Sequence, residues 1–99
     1  MKIGVPKEIK TQEFRVGLTP ESVSELVRAG HQVMVETNAG LGLAAADADY
    51  EKAGAKILPD AASVFGEAEM IVKVKEPQPV ECAMLKPHHT LFTYLHLAA

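Results

Sequence analysis

The sequence predicts an α/β domain with an open, mostly parallel sheet of five strands and helices on both faces. Two observations predict this class. Short apolar runs alternate with helical patterns along the whole chain, as they do in right-handed βαβ units. One of these runs, 70–74, is apolar at four of its five positions and is followed at once by Lys75, Glu76 and Pro77. A buried strand that ends in a charged loop is typical of the edge where such sheets bind ligands.

The individual strands and helices are predicted from apolar runs, caps and breakers. The strands are predicted at 2–6, 32–36, 55–58, 70–74 and 90–95. The helices are predicted at 20–29, 47–53, 61–68 and 79–85, with Thr19, Asp47 and Asp60 as the caps of the first three. The first helix is the best defined, because Pro20 suits its first turn and Gly30 follows its last one. A doubly wound sheet of this kind is Rossmann-like or flavodoxin-like.

The composition excludes several classes of protein. Ten basic and thirteen acidic residues give a net charge of −3 with no basic block, which argues against a nucleic-acid surface. No apolar run approaches the roughly 20 residues that span a bilayer, and Met1–Pro6 is too short for a secretory signal. The single cysteine, Cys82, precludes an internal disulfide and fits a reducing compartment. We therefore expect a cytoplasmic domain with no membrane or nucleic-acid partner.

Three ionisable residues follow strands of the predicted sheet. Arg15 lies in the loop after the first strand, Lys75 ends the fourth, and His96 follows the fifth. Since the carboxyl ends of parallel strands lie along one edge, these side chains can face one crevice. The set suits a small carboxylate, because an arginine can pair with it bidentately and a lysine can polarise a neighbouring carbonyl. A histidine can exchange protons near neutral pH.

Each of these residues also has a purely structural interpretation. Arg15 in a polar loop can be a solvated surface charge, and His96 at an apolar strand end can be a hydrogen-bonded core residue. Lys73 and Lys75 share a strand face by the period of two. One of them is expected to be an ordinary strand-end charge, and Lys75, nearer the tip, is the better candidate for function.

Three further features carry weaker signals. The turn Gly40–Ala45 fits the dinucleotide pattern G-x-G-x-x-A, follows an apolar strand and has Asp60 about twenty residues later. It belongs to the second βα unit, however, and its short helix begins only at Asp47, so a steric role for the glycines is favoured. His88-His89 lies in a loop without nearby metal-ligand partners and is expected on the surface. Cys82 is expected to be buried on the apolar side of the last predicted helix.

Five motifs of the sequence are distinctive in combination. They are Ile3–Glu8 (IGVPKE), Glu13–Pro20 (EFRVGLTP), Ala29–His31 (AGH), Lys73–Pro77 (KVKEP) and Phe92–Ala98 (FTYLHLA). In these motifs the chain resembles, from end to end, the family of the alanine dehydrogenases and the related nicotinamide nucleotide transhydrogenase subunits. The transhydrogenase subunits lack the second lysine of KVKEP and the YLH segment. Both are present here, so the alanine dehydrogenase branch is the closer resemblance.

The resemblance implies an activity and roles for the three candidate residues. The family implies NAD-dependent, reversible deamination of L-alanine to pyruvate and ammonia, in a homo-oligomer that is a hexamer in the family. By position, Arg15 resembles the residue that pairs with the substrate carboxylate. Lys75 resembles the one that contacts the carboxylate and the keto oxygen, and His96 resembles the general acid/base. The alternatives are a transhydrogenase-like domain or a non-catalytic α/β interaction module.

The resemblance also implies what the chain lacks. Residues 1–99 correspond to the N-terminal substrate domain, which is expected to be truncated and inactive alone. The family's NAD-binding domain, with its own glycine fingerprint, is expected beyond residue 99. Two departures concern one loop: Asn38-Ala39-Gly40 stands where Gly-Ala-Gly is usual, and Leu43–Ala46 replaces a more polar and aromatic segment. The sequence therefore does not predict the conformation of that loop.

Overall fold

A computed structural model of the chain describes residues 1–9 and 15–93. Within them it confirms the predicted alternation of strands and helices. The strands are β1 (Lys2–Val5), β2 (Gln32–Glu36), β3 (Lys56–Leu58), β4 (Met70–Lys73) and β5 (Thr90–Thr93). The helices are α1 (Pro20–Arg28), α2 (Asp47–Lys52), α3 (Ala61–Glu67) and α4 (Pro79–Cys82), with a short 3-10 helix at Leu41–Leu43. The last two residues of the predicted strand 90–95 lie outside the described part of the chain.

The five strands are parallel and lie in the order β3-β2-β1-β4-β5. The chain runs outward from β1 through β2 to β3, then crosses back to place β4 on the other side of β1. Of the two predicted arrangements this is the Rossmann-like one. Ile3 lies opposite Met70 and Gly4 lies opposite Ile71, so β1 and β4 run side by side. The loops after β1 and β4 therefore leave the sheet at the switch point, where the strand order reverses and open sheets bind ligands.

Helices cover both faces of the sheet, as predicted. Successive strand residues point to opposite faces, so the strands contribute to two separate cores. One core combines strand valines and Ile3 with Val23 of α1 and Tyr50 of α2. The other packs α3 against Met34 and Ile71. Gly4 allows this close packing, because a Cβ there would lie only 2.7 Å from the Cβ of Ala68 in the segment that ends α3.

The helix caps agree with the sequence at two of three sites. Thr19 and Asp60 each accept a hydrogen bond from the backbone amide three residues later, at 3.2 and 2.8 Å. The predicted cap Asp47 is wrong, since Ala46 is the N-cap of α2 and Asp47 is its first helical residue. The amide of Ala46 is instead held by the carboxylate of Asp49, at 2.9 Å. An acid in the first turn stabilises the helix end in either arrangement.

Helix α4 is shorter than predicted and ends at Cys82 rather than at Leu85. Beyond it the amides of Met84 and Leu85 bond to carbonyls three residues earlier, at 2.9 and 3.3 Å. Both side chains pack against the core beside α3. This packing turns the chain back toward the sheet and overrides the local helical pattern. No helix in the described residues is both long and apolar enough to cross a membrane.

Candidate functional site at the switch point

Three charged side chains form a buried cluster at the end of β4, named here the Glu8–Lys73–Glu81 cluster. The side chain of Lys73 is 1% exposed and those of Glu8 and Glu81 are 2% exposed. The Nζ atom of Lys73 lies 2.9 Å from Oε1 of Glu8 and 3.1 Å from Oε2 of Glu81. The prediction of an ordinary strand-end charge at Lys73 is therefore wrong. Strand β4 lies between β1 and β5, and Glu81 of α4 covers this face, so the lysine is removed from water.

Backbone amides also donate to both carboxylates. Glu8 accepts hydrogen bonds from the amide of Val74 at 2.9 Å and from that of Lys75 at 3.3 Å. Glu81 accepts one from the amide of Gln78 at 2.9 Å. Two carboxylates around one ammonium leave an excess negative charge, and buried charges are tolerated only when such hydrogen bonds offset their desolvation. The side chain of Glu8 thus ties the loop after β1 to the end of β4.

The carboxylate of Glu36 ties the loop after β1 to β2. Glu36, the last residue of β2, accepts a hydrogen bond from the amide of Lys7 at 2.8 Å. Burial raises the pKa of Glu36, and the Lys7 amide offsets part of that rise. Glu36 and Glu8 together hold the loop after β1 between its neighbouring strands, so the start of this loop is well fixed.

Lys75 lies just past the end of β4, beside the switch point. It follows β4 by two residues, is partly buried, and has its backbone amide held by Glu8. The fixed amide sets where its side chain leaves the strand end.

Arg15 is exposed, and the residues that follow it pack on β4. The following Val16 is buried, and Gly17 lies directly against β4. A Cβ at Gly17 would be 2.5 Å from the carbonyl oxygen of Val72, so only glycine allows this approach. Since consecutive Cα atoms are about 3.8 Å apart, the backbone of Arg15 lies within about 8 Å of Gly17. The segment that begins at Arg15 therefore approaches β4, the strand whose end leads into Lys75.

His96 lies outside the described residues. The last described residue of β5 is Thr93, which pairs with Lys73 of β4. The role of His96 stays a prediction.

The turn Gly40–Ala45 has a structural explanation. A Cβ at Gly40 would lie 2.7 Å from the ring of Tyr50, so this glycine is required by packing. The carboxylate of Asp47 occupies the start of α2 and accepts hydrogen bonds from Thr37 at 2.6 Å and Asn38 at 2.9 Å. This negative charge disfavours a phosphate at the same place. Asp60, which the pattern would assign to a ribose, caps α3 instead.

The departure at Asn38 is also explained by backbone conformation. Its φ angle is +67°, a left-handed value that asparagine tolerates better than most residues other than glycine. An asparagine can thus adopt the conformation required at a position where the resemblance implies a glycine.

The surface prediction for the two histidines is confirmed for His88, which is exposed, whereas His89 is partly buried. The Nδ1 of His89 accepts a hydrogen bond from the amide of Lys86 at 2.8 Å, and its Nε2 lies 2.7 Å from the carbonyl oxygen of Phe65. The neutral ring protonated at Nε2 satisfies both contacts and ties α3 to the loop before β5. Cys82 is exposed rather than buried, since the short α4 leaves it at the surface. Among the described residues no group of three or more His, Cys, Asp or Glu side chains is placed to hold a metal ion.

Tyr50 joins α2 to the segment that carries Arg15. Its side chain is fully buried, and its hydroxyl donates a hydrogen bond to the carbonyl oxygen of Leu18 at 2.8 Å. Burial, with smaller contributions from Glu21 and Asp49, raises the pKa of the phenol from 10.0 to about 12. The hydroxyl therefore keeps its proton, and with it this hydrogen bond, well above neutral pH.

The raised pKa of Tyr50 predicts a loss of stability in alkaline solution. The unfolded state releases the phenolic proton near pH 10 and the folded state near pH 12, so the free energy of unfolding falls as pH rises between these values. Urea unfolding of the parent and of Tyr50→Phe at several pH values measures this. The difference in stability between the two proteins should shrink over that interval, because the phenylalanine cannot ionise. Parallel curves would contradict the assignment.

Comparisons with known proteins agree with this architecture. The profile of the family described as "Alanine dehydrogenase/PNT, N-terminal domain" matches residues 4–99. The chain is 57% identical over its whole length to an alanine dehydrogenase of Halomonas elongata, of which it covers 27%. It is 56% identical, again over its whole length, to an alanine dehydrogenase of Bacillus subtilis strain 168, of which it covers 26%.

Two solved structures share the fold. An L-alanine dehydrogenase superposes with a TM-score of 0.92 at 58% identity, over 99% of this chain and 27% of that one. A transhydrogenase from Sinorhizobium meliloti superposes with a TM-score of 0.88 at 34% identity, over 96% of this chain and 27% of that one. The chain thus spans about a quarter of the length of the relatives it matches. With a profile match over nearly all of its residues, it belongs to the family of alanine dehydrogenase/PNT N-terminal domains.

Proposed function

We propose that this chain is the substrate domain of an NAD-dependent L-alanine dehydrogenase, which interconverts L-alanine, NAD and water with pyruvate, ammonia and NADH. One observation carries the proposal. Glu8 of the loop after β1 bonds to the amides just past β4, and Gly17, two residues after Arg15, packs against Val72 of β4. These contacts support an arrangement in which Arg15 and Lys75 share one edge of the sheet. Two cations at one ligand-binding edge suit a 2-oxo or 2-amino carboxylate.

Arg15 and Lys75 bind the substrate in this proposal. The guanidinium of Arg15 pairs with the carboxylate, and each hydrogen bond to a charged group contributes roughly 1.5–3 kcal/mol. The ammonium of Lys75 contacts the carboxylate and the keto oxygen. Positive charge held there stabilises the negative charge that develops on that oxygen during the reaction.

His96 moves the proton in this proposal. Imidazoles exchange protons readily at neutral pH, and a positioned acid/base group contributes roughly 100- to 10,000-fold to rate. His96 gives a proton to, or takes one from, the amine, the carbinolamine or a water. It follows β5, whose described end pairs with Lys73 beside the switch point.

NAD is assigned to a domain outside these residues. The turn Gly40–Ala45 is disfavoured as a dinucleotide site, because the carboxylate of Asp47 puts a negative charge at the start of α2, where it bonds to Thr37 and Asn38. The chain itself therefore supplies substrate binding and proton transfer. On this basis the 99 residues alone are expected to show no turnover.

Self-association is part of the proposal. Leu91 and Phe92 are consecutive residues of β5, 39% and 52% exposed, so each face of this strand presents one apolar side chain that a further part of the protein or a partner can cover. Another copy of the chain in a homo-oligomer, a hexamer in the family, is the partner proposed. A cytoplasmic location is proposed from the single cysteine, which suits a reducing compartment.

A second candidate is a transhydrogenase-like domain. The structural similarity to the Sinorhizobium meliloti transhydrogenase, with a TM-score of 0.88, supports it. In that case the edge residues would serve an interface rather than a substrate, and a non-catalytic interaction module would use them in the same way. The presence of Lys75 and of the Tyr94-Leu95-His96 segment favours the dehydrogenase.

An assay of a protein that carries this domain together with a nucleotide-binding domain separates the candidates. We expect NADH oxidation that requires both pyruvate and ammonium, and NAD reduction that requires L-alanine. Hydride exchange between two nicotinamide nucleotides without any amino acid would favour the second candidate. Turnover by the 99-residue chain alone would contradict the assignment of NAD to another domain.

A further inference from the structure

Glu8 makes contacts at the end of β4 that no strand pairing supplies. Among the described residues, the ladder between β1 and β4 pairs positions only up to Ile71, and the ladder between β4 and β5 ends at Lys73. The next two amides along the chain, those of Val74 and Lys75, both donate to the carboxylate of Glu8. A side chain from the loop after β1 therefore takes the place of a strand partner where β4 ends.

Charge balance alone does not explain why the carboxylate of Glu8 is buried beside Lys73. Lys73 and Glu81 would already form a neutral buried pair, with their charged atoms 3.1 Å apart. Adding Glu8 places a second carboxylate in the same buried cluster, which costs free energy unless its oxygens are well paired. The partners that offset this cost are Lys73 and the two amides, so the additional acid acts on the backbone that leads into Lys75.

We infer that Glu8 is a positioning residue for Lys75, and this inference rests on the proposed function. By holding the amides of Val74 and Lys75, Glu8 fixes where the ammonium of Lys75 meets the substrate. Glu8 lies in the loop that leads on to Arg15. One residue therefore fixes the backbone next to Lys75 and lies in the same loop as Arg15. Misplacing a positioned group by about 1 Å can cost on the order of 100-fold in rate.

The variant Glu8→Gln tests the inference in a protein that carries this domain with a nucleotide-binding domain. Glutamine keeps the size of the side chain but sets an amide NH₂ against Lys73 or a backbone N–H. We expect kcat/KM for pyruvate to fall by roughly 10- to 100-fold while KM for NADH stays unchanged. Glu81→Gln is the matched comparison, because it removes the other charge on Lys73 without touching the amide of Lys75. It should affect stability more than kcat/KM.

A double-mutant cycle with Lys75→Met separates positioning from a structural role. If Glu8 acts through Lys75, Glu8→Gln lowers kcat/KM in the parent but causes little further loss in the Lys75→Met background. Equal factors in both backgrounds, or no effect in the parent, would overturn the inference. If Lys75→Met itself leaves kcat/KM unchanged, the proposed function fails, and the positioning inference fails with it.

A conservative variant covers the case in which Glu8→Gln does not fold. Glu8→Asp keeps the charge but shortens the side chain by one methylene, so it can still pair with Lys73. We expect faster hydrogen exchange at the amides of Val74 and Lys75 and an intermediate kcat/KM. Unchanged exchange at both amides together with a lowered kcat/KM would overturn the inference, because the loss would then not pass through this backbone.

Discussion

Replacing Lys73 by methionine is expected to lower the free energy of unfolding by about 3–5 kcal/mol, because it leaves two buried carboxylates without their cation. The side chain of Lys73 is 1% exposed and lies within 3.1 Å of both acids. Methionine is close to lysine in volume and only one atom shorter, so the loss reflects mainly charge rather than a cavity. Urea unfolding of the two proteins measures the difference.

Two further variants control the Lys73 experiment. Lys56→Met removes a lysine that is 67% exposed and lies 3.8 Å from Glu67, and such surface pairs contribute at most about 1 kcal/mol. Combining Lys73→Met with Glu8→Gln and Glu81→Gln removes all three charges and should recover part of the lost stability. A loss no larger than that of Lys56→Met would show that the cluster is not buried as described.

Replacing Lys75 by methionine is expected to lower kcat/KM for pyruvate by roughly 100- to 1,000-fold, in a protein that carries the nucleotide-binding domain as well. This is the range seen when one stabilising donor to a developing oxyanion is removed. Stability should change little, because Lys75 is only partly buried and the amide that Glu8 holds is retained.

The matched control for Lys75 is Lys86→Met, an exposed lysine in the loop before β5. The same loss of one positive charge there should leave kcat/KM and KM for pyruvate near the parent values. Kinetics near the parent values for Lys75→Met as well would show that Lys75 does not contact the substrate. A similar loss in both would point to net charge rather than to a site.

The fold could be predicted because its signals are local. Thr19 and Asp60 cap helices that begin next to them, and short apolar runs mark each strand. Where the prediction was wrong, distant contacts decided the outcome. His89 is held by Phe65, and α4 ends early because Met84 and Leu85 pack on the core.

The buried acids of the site could not be read from the local pattern. Glu8 lies 65 residues from Lys73 in a stretch that reads as a polar loop, and no spacing rule connects the two. One signal could have found them. A lysine on the inner side of a central strand requires an acidic partner, and the ends of neighbouring elements are where that partner must lie. The edge that carries Arg15 and Lys75, by contrast, follows from parallel topology alone.

Hydrogen exchange with and without pyruvate tests the central claim most directly. The measurement uses a protein that carries this domain and a nucleotide-binding domain, saturated with NADH in both samples, so that only pyruvate differs. We predict slower amide exchange in two peptides, 15–19, which covers the segment that packs on β4, and 74–78, which follows β4. We predict no change in the rate at 37–46. Protection at 37–46 without any at 74–78 would contradict the account.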